Sequence, residues 1–257
     1  MLSFPRVAPG KALSISATLY VTFTRCPDQA LGRVHGVYPE ETIASFRGGL
    51  AHRVFARHLE RGPIGSDEFE KVCREEIGTG LNPSLGALGL RPSQLAPVVK
   101  EVGDLYQRFK AVIREGFRDA DVFIELEPAA GVTLRGSIDA VFDDAGGVCL
   151  VDWKTGGLHE IGSQLGFYAM LWALDRGELP TRVEALSIAS GERFEAEPSL
   201  ASVTETAASV AAMVTMLRRA ADEGRDELER IGGPWCSFCP LLDSCAEGAA
   251  AVKITTA

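Results

Sequence analysis

Apolar residues recur at helical spacing through ETIASFRGGLAHRVFARHLE (residues 41–60), at Ile43, Phe46, Leu50, Val54, Phe55 and Leu59. Upstream, residues 16–33 read as a short helix that Ser16 can cap. Residues 61–98 are polar and broken by Pro and Gly, with room for one short helix near 67–77, and 94–117 form a longer one. The pattern changes at 121, where DVFIELEP, VTLRGSIDAVFDD and GVCLVDWKT alternate or cluster β-formers, with a hairpin signal, DDAGG, between the last two. SQLGFYAMLWALDRG (163–177) returns to helix, VEALSIAS and ERFEAE read as two short strands, and 201–230 as a long Ala-rich helix. This order predicts an α/β fold: a central mixed β-sheet of about five strands flanked by helices. The expected organisation is one domain over 1–248, mainly helical over 14–120, with the core sheet over 121–198. A C-terminal helix and cysteine-rich segment follow over 199–248, and 249–257 is a tail.

Composition bounds the function. With 257 residues and 46% hydrophobic content, the chain can bury a substantial core. No apolar run reaches the roughly 18 residues of a membrane span, so no membrane partner is expected. The N-terminus mixes Ser, Thr, Lys and Pro into its apolar residues and makes a poor signal peptide, which points to a cytoplasmic protein. A net charge of −9 argues against broad, sequence-independent nucleic-acid binding. A local basic patch or bound divalent cations reverse the field at one site, however. Two basic sets qualify: Arg25, Arg33, Arg47, Arg53, Arg57 and Arg61, then Lys100, Arg108, Lys110, Arg114 and Arg118; solvated helix faces explain both equally well.

The candidate chemistry lies on the hairpin. Asp152 and Lys154 of LVDWKTGG share one strand face while Trp153 points the other way, and Asp139 of GSID can approach Asp152 across the ladder. Two adjacent carboxylates repel unless a cation sits between them. A hard divalent ion with oxygen ligands fits, and a lysine beside it can stabilise developing negative charge.

GSIDAVF…LVDWKTG resembles the core of the PD-(D/E)xK nuclease superfamily, in particular its RecB-like branch. That branch also carries an upstream helical histidine and a downstream Gln-x-x-x-Tyr helix, here His52 and the Gln164/Tyr168 pair. Ile138 stands where the family's "PD" has proline. The resemblance implies a restriction-endonuclease-like core in which His52, Asp139 and Asp152, with the Trp153 carbonyl, ligate Mg²⁺ or Mn²⁺. It also implies that Lys154 is catalytic and that Gln164 and Tyr168 position the DNA backbone or the catalytic groups. His58 shares the helix of His52; the residues alone do not separate the two. Glu125 and Glu127 share a strand face and can support the metal or merely line an exposed edge.

WCSFCPLLDSC supplies Cys236, Cys239 and Cys245, and TRCPDQ supplies Cys26 far upstream; Cys73 and Cys149 read as single buried thiols. Close cysteines without a secretory signal favour metal over disulfides, and a Cys₄ zinc site satisfies the spacing. One cysteine before the core and three after it resembles the [4Fe–4S] arrangement of RecB-like nucleases, among them AddB and the CRISPR-associated adaptation exonucleases. The resemblance spans Cys26 to Cys245. It implies an exonuclease acting on single-stranded DNA or DNA ends, in repair, recombination or CRISPR spacer acquisition, with a helicase or CRISPR integrase as a possible partner. No G-x-x-x-x-G-K-[ST] phosphate loop is present. The alternative is a DNA-end-binding adaptor subunit whose partners do the chemistry.

Overall fold

The computed structural model describes residues 2–222 and 228–255. Its centre is a six-stranded mixed sheet: β1 (Leu13–Ser16), β2 (Phe117–Ala129), β3 (Val132–Asp144), β4 (Gly147–Lys154), β5 (Arg182–Ser187) and β6 (Arg193–Ala196). The helices are α1 (Ala17–Arg25), α2 (Pro27–Val34), α3 (Ile43–Arg61), α4 (Phe69–Glu76), α5 (Asn82–Leu88), α6 (Leu95–Val112), α7 (Ile161–Arg176), α8 (Leu200–Asp222) and α9 (Ala246–Thr255). Side chains of α1, α2, α7 and α8 join one core on one face of the sheet; those of α3, α4 and α6 join a second core on the other. Each face of the sheet is therefore covered, the α/β solution to burying both apolar surfaces of its central strands.

β3 organises the sheet. β2 pairs antiparallel along one edge of it, from Val132 to Phe142. The other edge is shared: β1 pairs in parallel with Val132–Arg135, and β4 pairs antiparallel with Ala140–Asp144. Residues 136–139 of β3 thus have no ladder partner on that edge. β4 pairs in parallel with β5, and β6 closes the sheet antiparallel to β5. The β3–β4 hairpin turns through Ala145–Gly146, with Gly146 at φ +84°, a conformation that glycine adopts without steric cost.

Several boundaries depart from the sequence pattern. Ser16 does cap a helix, its hydroxyl accepting from the Leu19 amide at 3.1 Å, but the 16–33 helix is two. Pro27 forces Cys26 into extended backbone (φ −155°, ψ 104°) and ends α1 there. LSIS pairs with β3 as β1, a strand too short to be read without its distant partner. The 61–98 stretch holds more helix than one short segment: a π turn over Ile77–Leu81 joins α4 to α5. The long helix predicted for 201–230 stops at Asp222; 223–227 lie outside the described residues, and 228–230 are not helical. Residues 246–255, where a tail was expected from 249, form α9.

By length and composition α8 is apolar enough to cross a membrane, which the search for an uninterrupted apolar run misses. Its apolar stripe, Val203, Ala207, Val210, Met213, Val214 and Leu217, is buried in the first core, where α8 packs against α7 and α1. Arg218 extends that packing. It is 4% exposed and donates to four carbonyls: Ala8 at 2.5 Å, Lys11 at 3.0 Å, Ala130 at 3.1 Å and Gly131 at 3.0 Å. One guanidinium therefore fastens the N-terminal segment to the β2–β3 turn. Arg218→Ala is expected to cost about 2–4 kcal/mol in urea unfolding, because buried carbonyls lose their donor. Arg218→Lys restores only part of this, since an ammonium lacks the planar fork.

Candidate active site

The gap in β3 pairing holds Asp139. Continuing the Ala140↔Val151 register by one residue sets Asp139 opposite Asp152. The ladder is replaced there by a side chain: the Trp153 amide donates to Asp139 Oδ2 at 2.7 Å. The buried residues of β3 also change face at this point, with Ile138 in the core under α7 and Ala140 in the core under α3. On the neighbouring strand Asp121, between the pairs Ala120↔Ala140 and Val122↔Ile138, takes φ +49° and accepts a hydrogen bond from the Ser137 hydroxyl. Irregular backbone of this kind re-aims side chains and clusters at functional sites.

Helices reach the gap from both faces. From α3, His52 Nδ1 lies 2.9 Å from Asp139 Oδ1. From α7, the Gln164 side-chain amide donates to Asp152 Oδ1 at 2.8 Å and to the Tyr168 hydroxyl at 3.0 Å. Its carbonyl accepts from Lys154 Nζ at 2.8 Å, and Nζ also lies 2.8 Å from Asp152 Oδ2. Gln164 and Tyr168 reach the same site because residues four apart share a helix face. Two glycines allow these helices to approach. A Cβ at Gly136 would sit 3.2 Å from the Tyr168 ring and 3.0 Å from Leu171, and one at Gly48 would sit 3.2 Å from the Thr155 hydroxyl.

The structure separates residues that spacing alone left equivalent. His58 lies six residues from His52 on α3 and is buried in the second core, its Nδ1 2.7 Å from the Tyr106 hydroxyl. Only His52 meets a carboxylate of the site. The Trp153 ring is packed edge-on against Phe109 and Phe142, so that residue contributes its backbone alone. Glu125 and Glu127 lie on the exposed side of β2, Glu127 accepting from the Gly131 amide at 2.8 Å.

Electrostatics follow from this crowding. Burial and the charge of Asp139 push the Asp152 carboxyl up to about 6, against the opposing pull of Lys154 and His52. Burial lowers the affinity of His52 for a proton, but the charge and hydrogen bond of Asp139 outweigh it and the net shift is upward. Burial and the two carboxylates raise Tyr168, which stays protonated. Asp152 Oδ2 is buried and makes no hydrogen bond, its ion-pair contact with Lys154 aside. A free carboxylate lone pair beside a second carboxylate and an imidazole is a donor set that suits Mg²⁺ or Mn²⁺. Among the described residues, no group of three or more His, Cys, Asp or Glu side chains is itself gathered into a metal-holding shell.

The cysteines converge at a second place. Cys26, at the α1–α2 break, lines a narrow cavity of about 10 Å³ together with Cys236, Cys239 and Cys245. All six cysteines are free thiols; Cys73 and Cys149 are buried elsewhere, and burial raises both. Backbone amides point at two of the four sulfurs, Gly233 to Cys236 at 3.3 Å and Gly248 to Cys245 at 3.2 Å. Burial raises Cys239, with the other three thiols adding to the shift.

A split sheet edge, paired Asp139 and Asp152, and Lys154 two residues on define a phosphodiesterase-type site, and the family model agrees. The chain belongs to the PD-(D/E)XK nuclease superfamily, whose model matches residues 14–246. No curated protein matches the chain closely enough to be called a relative. Among solved structures, the crystal structure of SSO0001 is similar at 16% identity, covering 91% of this chain and 85% of that one. Its TM-score of 0.39 is too low to bear on fold or function.

The raised Asp152 carboxyl makes a signed prediction for metal-free protein in chelator. An acid whose folded pKa is raised binds protons more tightly folded, so stability falls as pH rises from about 4 to about 6 and is level above. Asp152→Asn should therefore be more stable than wild type at pH 8, by about 2–3 kcal/mol at most, with the difference vanishing below pH 4. Added Mg²⁺ should raise the wild-type melting temperature at pH 8 and leave the variant unmoved.

Proposed function

We propose that the protein is a RecB-like, metal-dependent DNA exonuclease acting on single strands or DNA ends, with a structural [4Fe–4S] cluster. The observation that carries this reading is the closed network around Asp152: Lys154 and Gln164 on its two oxygens, Tyr168 on Gln164, and Asp139 with His52 across the β3 gap. A structural lysine ordinarily points to solvent; this one is held between a carboxylate and an amide on a strand end, facing a second carboxylate.

His52, Asp139 and Asp152 would hold Mg²⁺ or Mn²⁺. Such an ion, when bound, neutralises phosphate charge and acidifies a water. Lys154 contributes a fixed positive charge where negative charge develops on the scissile phosphate. Gln164 fixes Lys154 and Asp152 relative to one another, and Tyr168 fixes Gln164. His52 and the Trp153 amide hold the Asp139 carboxylate by its two oxygens, so its orientation does not depend on a flexible rotamer.

Cys26, Cys236, Cys239 and Cys245 would hold the cluster; four thiols on one cavity with amides directed at two sulfurs support that assignment, and a zinc ion satisfies the same donors. Bound there, it ties α1 to the C-terminal segment across 210 residues of chain, from Cys26 to Cys236, and restricts the unfolded state as a long-loop cross-link does. We read residues 1–248 as one such nuclease domain, with a helicase or CRISPR integrase as the class of protein partner and the cytoplasm as its compartment.

With end-labelled single-stranded DNA and Mn²⁺, wild type should release nucleotides progressively from one end. Asp152→Ala and Lys154→Ala should each lose activity by about 100-fold or more. DNA bound but uncut by wild type and variants alike would instead identify an adaptor subunit. Anaerobically purified wild type should be brown, and Cys236→Ser should lose colour, soluble yield and thermal stability together. A colourless Cys236→Ser that melts as wild type does would remove the clasp.

A further inference from the structure

Most of the arginines that stand out in the first sixty residues are consumed inside the protein. Arg25 pairs with Glu160, Arg47 with Glu101, Arg53 with Glu76, and Arg57 with Glu75 and Glu76. On α6 and beyond, Arg114 pairs with Glu184 and Arg118 with Asp143. Arg33 is different. Among the described residues it pairs with no carboxylate; its guanidinium lies 5.7 Å from the centre of the Tyr38 ring and within the electrostatic reach of Cys239.

Arg33 stands where two clefts meet. One, of about 580 Å³, runs between α1–α2, the loop from β4 to α7 and the cysteine segment, and is walled by Arg25, Trp235 and Phe238. The other, of about 260 Å³, lies over β1 and the start of β3, with Lys11, Arg135 and Tyr38 on its walls. Among the described residues the only acid lining either cleft is Glu160, and it pairs with Arg25. In a chain of net charge −9, a continuous path with four cations and one neutralised acid is a local reversal of field.

The aromatic residues along the path are unusually open. Phe238 is 80% exposed and Tyr38 61% exposed, whereas the core aromatics are fully buried. Trp235 lies beside Arg25, 6.0 Å from its guanidinium carbon to the ring centre. The path runs beside segments that lead directly into the candidate site. Leu158–Glu160 belongs to the loop that leaves Lys154 and enters the helix of Gln164, and Arg135 precedes Asp139 by four residues on β3.

We infer that this path is the track for a single nucleic-acid strand leading to the cleavage site, with Phe238, Trp235 and Tyr38 as stacking platforms and Arg33 and Arg135 as phosphate contacts. The inference rests on the nuclease reading above and names the form of its substrate. Cations interleaved with exposed aromatic faces fit an anionic chain whose bases are unstacked; a duplex keeps its base faces inside. Arg33 is the cation at the junction because it lines both clefts and pairs with no carboxylate among the described residues, and Phe238 is the platform because its ring, between two cluster cysteines in the chain, is 80% exposed. The cysteine segment thereby has a second role beside its clasp: it presents an aromatic ring to the substrate.

The test uses the full chain in chelator, so that DNA is bound and not cut, with fluorescence anisotropy of a labelled oligothymidylate. Phe238→Ala should weaken binding roughly 5- to 100-fold without changing its salt dependence, and Phe238→Trp should restore it. Arg33→Ala should weaken binding and flatten the slope of log K against log salt by about 0.7, the contribution of one phosphate contact on a single strand; Arg33→Lys should restore the slope. Both positions lie on the surface of the path, and unchanged melting curves and iron content confirm that each variant is folded. In cleavage assays the losses should fall on KM for the oligonucleotide.

Three outcomes overturn the track: Phe238→Ala and Arg33→Ala bind as wild type does, an intact duplex competes as well as the single strand, or polyglutamate does. The nuclease reading is tested separately by wild-type cleavage of a small phosphodiester, thymidine 5′-p-nitrophenyl phosphate, in Mn²⁺. Turnover of that ester with unchanged strand binding in both variants removes the track alone. No turnover of ester or DNA, with strand binding that still depends on Phe238 and Arg33, removes the nuclease and keeps the track.

Discussion

The arrangement depends on one interruption in backbone pairing. β3 gives one edge first to β1 and then to β4, and between them four residues have no partner on that edge, although β2 still pairs with Gly136–Ile138 on the other. A strand amide left unpaired inside a sheet costs free energy unless something else accepts from it. At Trp153 that acceptor is the Asp139 carboxylate, 2.7 Å away. The hydrogen bond satisfies the amide and fixes the carboxylate in the gap where β3 and β4 part, while Lys154, next in the chain, keeps its pairing with Ser187 of β5.

Around that gap the two helical layers divide the work. α3 brings an imidazole to Asp139 from one face, and α7 brings an amide and a phenol to Asp152 and Lys154 from the other. Because these groups come from opposite sides of a close-packed sheet, their separation is set by the sheet and not by side-chain rotamers. The same crowding leaves Asp152 with a carboxyl pushed up to about 6 and its second oxygen held by the Lys154 ammonium alone among the described residues. That is stored electrostatic cost, and a divalent cation relieves it. The acidic total charge is compatible with a polyanionic substrate for a related reason. Many arginines offset carboxylates of the same chain, while Lys11, Arg33 and Arg135 line one cleft without an acid among its described residues.

Much of the site was legible because its residues are close in the chain and obey simple periodicities. Asp152 and Lys154 share a strand face, Gln164 and Tyr168 share a helix face, and Asp139 is brought opposite Asp152 by a two-residue hairpin turn. His52 was not separable from His58 by periodicity: both lie on the long amphipathic helix, and which one meets a carboxylate depends on the rotation of α3 against the sheet. β1 was missed because four alternating residues become a strand only when β3, more than a hundred residues later, supplies the partner. The helix break at Cys26 carried a visible signal, the proline that follows it, and it is the break that turns this cysteine toward the other three.

By itself, then, the chain's pattern determined the α/β class, the β3–β4 hairpin and the superfamily, since these rest on contacts within one or two elements. Only the tertiary structure decided which histidine serves the site, where the ladder opens and how four distant cysteines come to line one cavity. It also decided that Arg33 stands where two clefts meet. Each of these depends on packing between elements far apart in the chain, where loop closure and burial, not local preference, set the geometry.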